Sequence, residues 1–558
     1  MADPLDAKRL EENLSALASR HPSLAASVRA AAADPRIVPL AARSGMIVPG
    51  VRSEAGTVPL HSLYDPRQES LRLAESVRGN GFYVLSGLGA GLHAVALLQQ
   101  PDVRGILVIE KDPHVLRALF ALVPLRPLLE DMRVTISAGL SSVRENLLAA
   151  WLPAVMGGMR TVPLRPWCEL EKDFFDAAAE EVQRAVELVR RDYSVQSHFG
   201  KRWAANILLN LARAESATQE TARIASAAVT AAGPSLEMQL PRLAARRADV
   251  YLLATDASLP TLMSSGIRPD AVLSIDCQNH GYLHFMQGIP RETSLFLDLA
   301  SPPLLARRQV PAVFVASAHP LVRYISSTWK RMVPIDTSGG NVAHAAVSLA
   351  LDLGARRVEV YGADFCYPDG KAYARGTYIY DVFCADQFRL SPAETRFFSF
   401  VQGSTSAHRS VVGTRVLYTT PLLSGYRERF VDMMGSTNAE IVPVPGNGLD
   451  IPPQKRLESR PAVSGGDHPR GSDGPAGSHS RGWKEFLADY ARSIEGLSSF
   501  SSGSPGDAGS LWRTILPVAA RVVKEGADPG PGAMEEARRW TLERIARVAQ
   551  ASDGTPRS

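Results

Sequence analysis

Only four cysteines occur in the chain, Cys168, Cys277, Cys366 and Cys384, and no two of them make a CxxC pair. This argues against a zinc site or a disulfide framework and fits a reducing compartment. An excess of one charge sign is missing as well. Lys and Arg number 61 against 57 Asp and Glu, and the formal net charge of +4 is too small to point to a nucleic-acid partner. Long apolar runs are absent too. The most apolar window, Leu147 to Met159, is broken by Pro153 and the Gly157-Gly158 pair and is too short to span a bilayer. The first residues, MADPLDAKRLEENLSALASRHP, mix acids and bases without an apolar stretch, which is not the pattern of a secretory signal. No repeat of solenoid period is found. A cytoplasmic protein without a membrane span or a nucleic-acid partner is expected.

What is present begins with length: 558 residues exceed one core and call for two or three domains. Between Val229 and Tyr373, short apolar runs rich in β-branched residues each end in Gly, Ser, Thr or Asp. They are VTAAGPSL, VYLLATDAS, DAVLSIDCQ, IDTSGGNVAHA and VEVYGADFCYPDGKAY. Buried parallel strands feeding functional loops have this form. Ligands of open α/β sheets bind just past the carboxyl ends of the strands, so Gly233, Ser235, Asp256, Asp276, Ser338 and Asp364 are expected to converge there. The expected fold class is α/β. A Rossmann-like parallel sheet forms the central domain (221–455), a smaller Rossmann-like domain precedes it (1–165), and a helical connector joins them (166–220). A Gly, Ser, Pro and His-rich linker (456–482) leads to a helical carboxy-terminal region (483–558).

The first domain carries GFYVLSGLGAGLHAVALLQQPDVRGILVIEKD, in which Gly87, Gly89 and Gly91 follow a strand and Glu110 closes the next one. A nucleotide or S-adenosylmethionine pocket would use those glycines for phosphate and the acid for a ribose hydroxyl. The other reading is a tight turn that lets helix pack on strand, and His93, where a small residue would pack better, favours it.

In the central block Gly233-Pro234-Ser235 opens a helix whose first N–H groups suit a phosphate, or are simply capped. Thr337-Ser338-Gly339-Gly340-Asn341 repeats the construction. Asp256 and Asp276 can accept from ribose hydroxyls or a base amine, can ligate Mg²⁺, or can cap helices. His319 and His344 read as packing residues, and Tyr373, Tyr378, Tyr380 and Phe383 as an acceptor groove or a lid core.

The ordered set GPSL, ATDAS, PDAVLSID, TSGGNVA and GADFCYPDGKAY, preceded by HSLYDPRQESLRLAE and GLGAGLH, resembles the motility accessory factor family, whose central domain is similar to bacterial sialyltransferases. The resemblance covers most of residues 55 to 450. It implies transfer of a nonulosonic acid, a sialic-acid-like sugar, from a CMP-activated donor to Ser or Thr of flagellin, with inversion. Carried over, it puts Gly233, Pro234 and Ser235 against the CMP phosphate and sugar. Thr255, Asp256 and Asp276 face the nucleoside, and Thr337, Ser338 and Gly339 hold cytidine. Asp364 joins this donor-binding set or ties the lid to the sheet. Tyr373, or Tyr367, donates to the departing phosphate, and His408 of the lid is the general base. No tightly bound cofactor and no metal ligand set are expected, although sialyltransferases tend to carry amides where this chain has Asp256 and Asp276, and acids near an anionic donor invite Mg²⁺. Two other readings stand beside this one. One is a pteridine pyrophosphokinase with Mg²⁺ on Asp256, Asp276 and Asp364. The other is a non-catalytic adaptor whose carboxy-terminal helices bind flagellin or a flagellar export chaperone.

Overall fold

The computed structural model describes residues 6–54, 56–218, 221–308, 310–403, 407–454, 481–497 and 507–553. Apart from Arg481 and Gly482, the stretch read as a linker lies outside the described residues. The chain forms two compact units, Met1–Lys201 with Ser493–Leu542, and Arg202–Arg492 with Glu543–Ser558. The division falls inside one helix, Lys172–Ser216, where the sequence suggested a separate connector. The helices Trp483–Glu495, Asp507–Lys524 and Pro531–Asp553 are distributed over both units. Among the described residues no helix is long and apolar enough to cross a membrane.

The first unit holds an antiparallel sheet of β1 (Ile37–Ala41), β2 (Ile47–Ser53) and β3 (Gly56–Pro59). It also holds a parallel sheet of β4 (Phe82–Ser86), β5 (Gly105–Glu110), β6 (Val134–Ala138) and β7 (Met159–Pro163), in the order β6-β5-β4-β7. All six residues of β5 are buried, as in a strand covered on both faces. Each such fully buried Ile, Leu or Val contributes roughly 1.5–3 kcal/mol. The Gly-rich turn follows β4. Glu110 is fully buried, its Oε2 accepting from Leu88 N at 2.9 Å and its Oε1 from Trp167 Nε1 at 2.7 Å and Lys111 N at 2.8 Å. Both oxygens that a ribose would need are thus engaged within the protein, Oε2 by the turn and Oε1 by Trp167 and Lys111, as the tight-turn reading of this motif has it.

The second unit is built on β8 (Ser226–Thr230), β9 (Tyr251–Thr255), β10 (Ala271–Ser274), β11 (Ser294–Asp298), β12 (Ala312–Ala316), β13 (Val333–Pro334) and β14 (Arg357–Tyr361). The chain then leaves the sheet for β15 (Tyr367–Pro368), β16 (His408–Val412) and β17 (Arg415–Thr419), and returns as β18 (Glu440–Pro443). The main sheet has eight strands, all parallel, ordered β13-β12-β11-β10-β9-β8-β14-β18. The strands march outward from β8 to β13, and the next one, β14, pairs on the other side of β8. The order therefore reverses between β8 and β14, where such sheets open a crevice. Val229, Leu253, Leu273, Val315 and Val360 pack with the helix Val342–Asp352 in the core below it. The excursion between β14 and β18 forms a lid: a small antiparallel sheet ordered β15-β17-β16 and the helices Tyr378–Ala385, Ala393–Gln402 and Pro421–Ser436.

Candidate functional site

At the switch point the loop after β8 meets the loop after β14. A β-carbon on Gly233 would collide with the Gly362 carbonyl and the Asp364 carboxylate, so glycine is required for the two loops to close. Ser235 is buried; its amide donates to Asp364 Oδ2 at 2.8 Å, and its hydroxyl accepts from Asn447 N at 2.6 Å. Pro234, just ahead of the helix Ser235–Ala245, is buried as well. The helix start expected to greet a phosphate is met by the protein's own carboxylate, which the positive end of the helix dipole favours. Burial pushes the Asp364 carboxyl up, opposed by its bonds from Ser235 and the charge of Arg415. Beside it, Phe365 adopts a left-handed φ of 50°, rare for a bulky side chain, and packs against Phe430 with ring centroids 5.5 Å apart.

One strand pair further along, β9 and β10 bring two more acids to the same sheet edge. Asp256 is buried, accepting from Ser274 Oγ at 2.7 Å and Ala257 N at 2.8 Å, and Thr255 beside it is buried with its hydroxyl bonded to Ser258. Asp276 is half-buried and accepts from Gln278 N at 2.9 Å. His284, on the short helical stretch Asn279–Phe285, has both acids as electrostatic neighbours. Burial drives Asp256 and His284 each towards its neutral form, raising the acid and lowering the imidazole, while their mutual attraction opposes this. The His284 ring stands edge-on to Tyr378, centroids 4.6 Å apart, and its Nδ1 is shielded from solvent without a hydrogen-bond partner. On β11, Asp298 accepts from Ala300 N at 3.0 Å, and burial pushes it up to about 6.

The lid closes this cluster with phenols. Burial pushes Tyr373 up to about 12, helped by neighbouring Tyr367, Tyr378, Tyr426 and Asp256. A backbone bond from Ala374 N to Ala232 O at 2.9 Å holds this segment against the loop after β8. Tyr367 is half-buried and neighbours Tyr426. The turn after β13 joins from its own side: Arg429 Nε donates to Gly339 O at 3.1 Å and its guanidinium lies over the Tyr426 ring at 5.4 Å. Gly339 is buried, Thr337 half-buried and Ser338 exposed, with Ser338 N donating to Asp336 Oδ1 at 2.8 Å. His344 is buried and bonds Asp336 Oδ2 at 3.1 Å, which draws that acid well below the usual range.

Asp256, Asp276, Tyr367 and Tyr373 are thus brought together, with the turn of Thr337, Ser338 and Gly339 joined to them through Tyr426. Gly233, Pro234, Ser235 and Asp364 lock to one another next to the group. His408 is exposed at the start of β16, its side chain without a hydrogen bond or ion pair among the described residues. In the lid core Phe397 and Val401 pack with Tyr380 and Phe383, so of the four lid aromatics Tyr373 and Tyr378 reach the acids. The sequence reading missed His284, Tyr426 and Arg429. His284 follows Asp276 by eight residues in the same loop, a usable signal; Tyr426 and Arg429 sit in the helix Pro421–Ser436 with nothing local to mark them. Chemically, protonated phenols and Arg429 offer donors to an anion, the acids offer acceptors to hydroxyls or amines, and a neutral imidazole can take a proton.

Comparison with known proteins adds the following. The family model described as 6-hydroxymethylpterin diphosphokinase MptE-like matches residues 201–370. Three uncharacterized proteins of Treponema pallidum (strain Nichols) are similar to this chain: one is 34% identical over 157 residues, 27% of this chain and 72% of the relative. A second is 31% identical over 26% of this chain and 53% of its own length, and a third 25% identical over 37% and 38%. The chain thus spans about half or less of the second and third. Among solved structures, "Structure of MAf glycosyltransferase from Magnetospirillum magneticum AMB-1" superposes with a TM-score of 0.58 over 98% of this chain and 96% of that one, at 16% identity. The two share a fold.

Proposed function

We propose that this chain, which belongs to one family with the first Treponema pallidum relative and has the fold of a MAf (motility accessory factor) glycosyltransferase, is a glycosyltransferase. Its donor is a CMP-activated nonulosonic acid and its acceptor a Ser or Thr hydroxyl of flagellin, reached with inversion. The observation that carries this reading is the meeting of Tyr373, Tyr378 and Asp256 at the carboxyl edge of the parallel sheet, under the excursion between β14 and β18.

The anomeric carbon of such a donor is tertiary and bears a carboxylate, so departure of CMP runs ahead of attack and leaves an oxocarbenium-like transition state. The protein's task is then to stabilise charge on the leaving phosphate and to remove the acceptor proton. Tyr373, backed by Tyr367 and Tyr426, stays protonated through the neutral range and donates to that phosphate. Asp256 and Asp276 accept from the nucleoside, and the turn of Thr337, Ser338 and Gly339 borders cytidine. Ser235 and Asp364 act by holding the two loops in place. His284, neutral beside the acids, takes the acceptor proton in this reading, in place of His408.

Intact mass of flagellin co-expressed with this chain, in a cytoplasm that makes CMP-nonulosonic acids, tests the proposal. A gain of one or more nine-carbon acidic sugars is expected, and an unchanged mass would overturn it. The match to the pterin diphosphokinase model supports a second reading, a Mg²⁺-dependent pyrophosphoryl transfer from ATP on the same acids. Calorimetry with CMP and with ATP, each with and without Mg²⁺, separates the two.

A further inference from the structure

The first unit gathers three side chains that the transferase reading leaves unused. His61 comes from the segment after β3, Glu69 from the first turn of the helix Pro66–Ser76, and His93 from the start of the helix Leu92–Leu98. One nitrogen from each histidine and a carboxylate oxygen all lie within 4.8 Å of one another. The two imidazoles meet edge-on, centroids 5.0 Å apart. His61 Nδ1 is shielded from solvent without a hydrogen-bond partner, and Glu69 Oε2 stands 3.6 Å from it, beyond hydrogen-bond reach. An orphaned buried nitrogen facing a carboxylate and a second imidazole calls for an explanation.

We propose that His61, Glu69 and His93 bind a divalent transition-metal ion of the zinc type, leaving one coordination position for water. Two imidazoles and a carboxylate are a set that zinc accepts at about 2.0–2.2 Å, with an open fourth position. Ligands on one tetrahedral ion sit about 3.4 Å apart at those bond lengths, so the three groups need only close in slightly. Glu69 Oε2 also accepts from Ser62 N at 2.9 Å, which holds the carboxylate towards His61, and the side chain, 39% exposed, leaves the site open to exchange.

Ligation carries a structural consequence. His61 Nε2 accepts from Ala90 N at 3.0 Å, so in the metal-free ring the proton sits on Nδ1. A metal at Nδ1 shifts that proton to Nε2, which becomes a donor and can no longer face the Ala90 amide. Gly89 and Gly91, at φ 54° and 72°, flank Ala90 and give this peptide the freedom to turn. Metal occupancy and the present form of the Gly-rich turn therefore exclude each other. Because Glu110 bonds both this turn and Trp167, the change reaches the indole.

The full chain, stripped with chelator and dialysed, is titrated with Zn²⁺ by calorimetry and with Co²⁺ by visible absorption. One equivalent, a ligand-field band and a change in tryptophan emission are expected. Glu69→Gln and His93→Gln should each weaken binding by roughly tenfold or more. Both positions are less buried than His61, so circular dichroism can confirm that these variants fold. Absence of binding, or binding undiminished in the Glu69→Gln/His93→Gln double variant, would overturn the proposal.

Discussion

The carboxylate of Asp364 accepts the backbone N–H of Ser235 at 2.8 Å, joining the loops after the two strands between which the sheet reverses its order. The bond is buried, and its loss leaves a helix-start amide unsatisfied. Asp364→Ala is expected to lower stability by about 1–3 kcal/mol, read from urea denaturation. Asp364→Asn should retain the acceptor and lose less.

Tyr373→Phe removes one hydroxyl and little packing. If this phenol donates to the leaving phosphate, sugar transfer to flagellin should slow by roughly a hundredfold, with CMP affinity changed far less. Single-turnover transfer beside calorimetric binding separates the two quantities. An equal loss in both would place Tyr373 in ground-state binding.

Two histidines compete for the base. His284→Gln should depress transfer by about a hundredfold or more, while His408→Gln, at an exposed edge-strand position, should leave it within about twofold. The reverse ranking, measured at saturating donor, would return the role to the lid.

Asp298 supplies a pH signature. Its carboxyl is raised from 3.8 to about 6 by burial, so below about 4 it is protonated in both folded and unfolded chains. As pH climbs towards 6 the folded state retains a proton that the unfolded state has lost, and stability falls. The full effect is on the order of 3 kcal/mol. Asp298→Asn should flatten this decline, so that the melting temperatures of variant and parent diverge from pH 4 to pH 7.

Much of the sheet was legible in the sequence because buried parallel strands announce themselves: YLLAT, SLFLD and their neighbours are short, largely apolar runs closed by polar loops. The clustering of Asp256 and Asp276 follows from that pattern alone. The fate of Ser235 does not. Whether a helix start faces a ligand or a carboxylate depends on a residue 129 positions away, and no local pattern encodes that distance. The exposure of His408 was illegible for a related reason. Position within a lid says nothing about which strand turns inward, and β16 is the outer strand of its sheet. His61, Glu69 and His93 were visible as letters, but only the packing of two helices brings them together.

The lid begins after β14 and ends before β18, and those two strands are neighbours paired along Arg357↔Glu440 to Val360↔Pro443. The pair is parallel, so the lid departs from the carboxyl end of β14 and returns at the amino end of β18, and on the way its last helix buries Phe430 and Met434 in the core of the main sheet. Asp256 and Asp276 belong to the scaffold, whereas Asp364, Tyr367, Tyr373, Tyr426 and Arg429 belong to the excursion. Residues 362–439 are therefore no free-standing cassette: a graft between relatives would have to keep the face that carries Phe430 and Met434, and it would carry part of the candidate site with it.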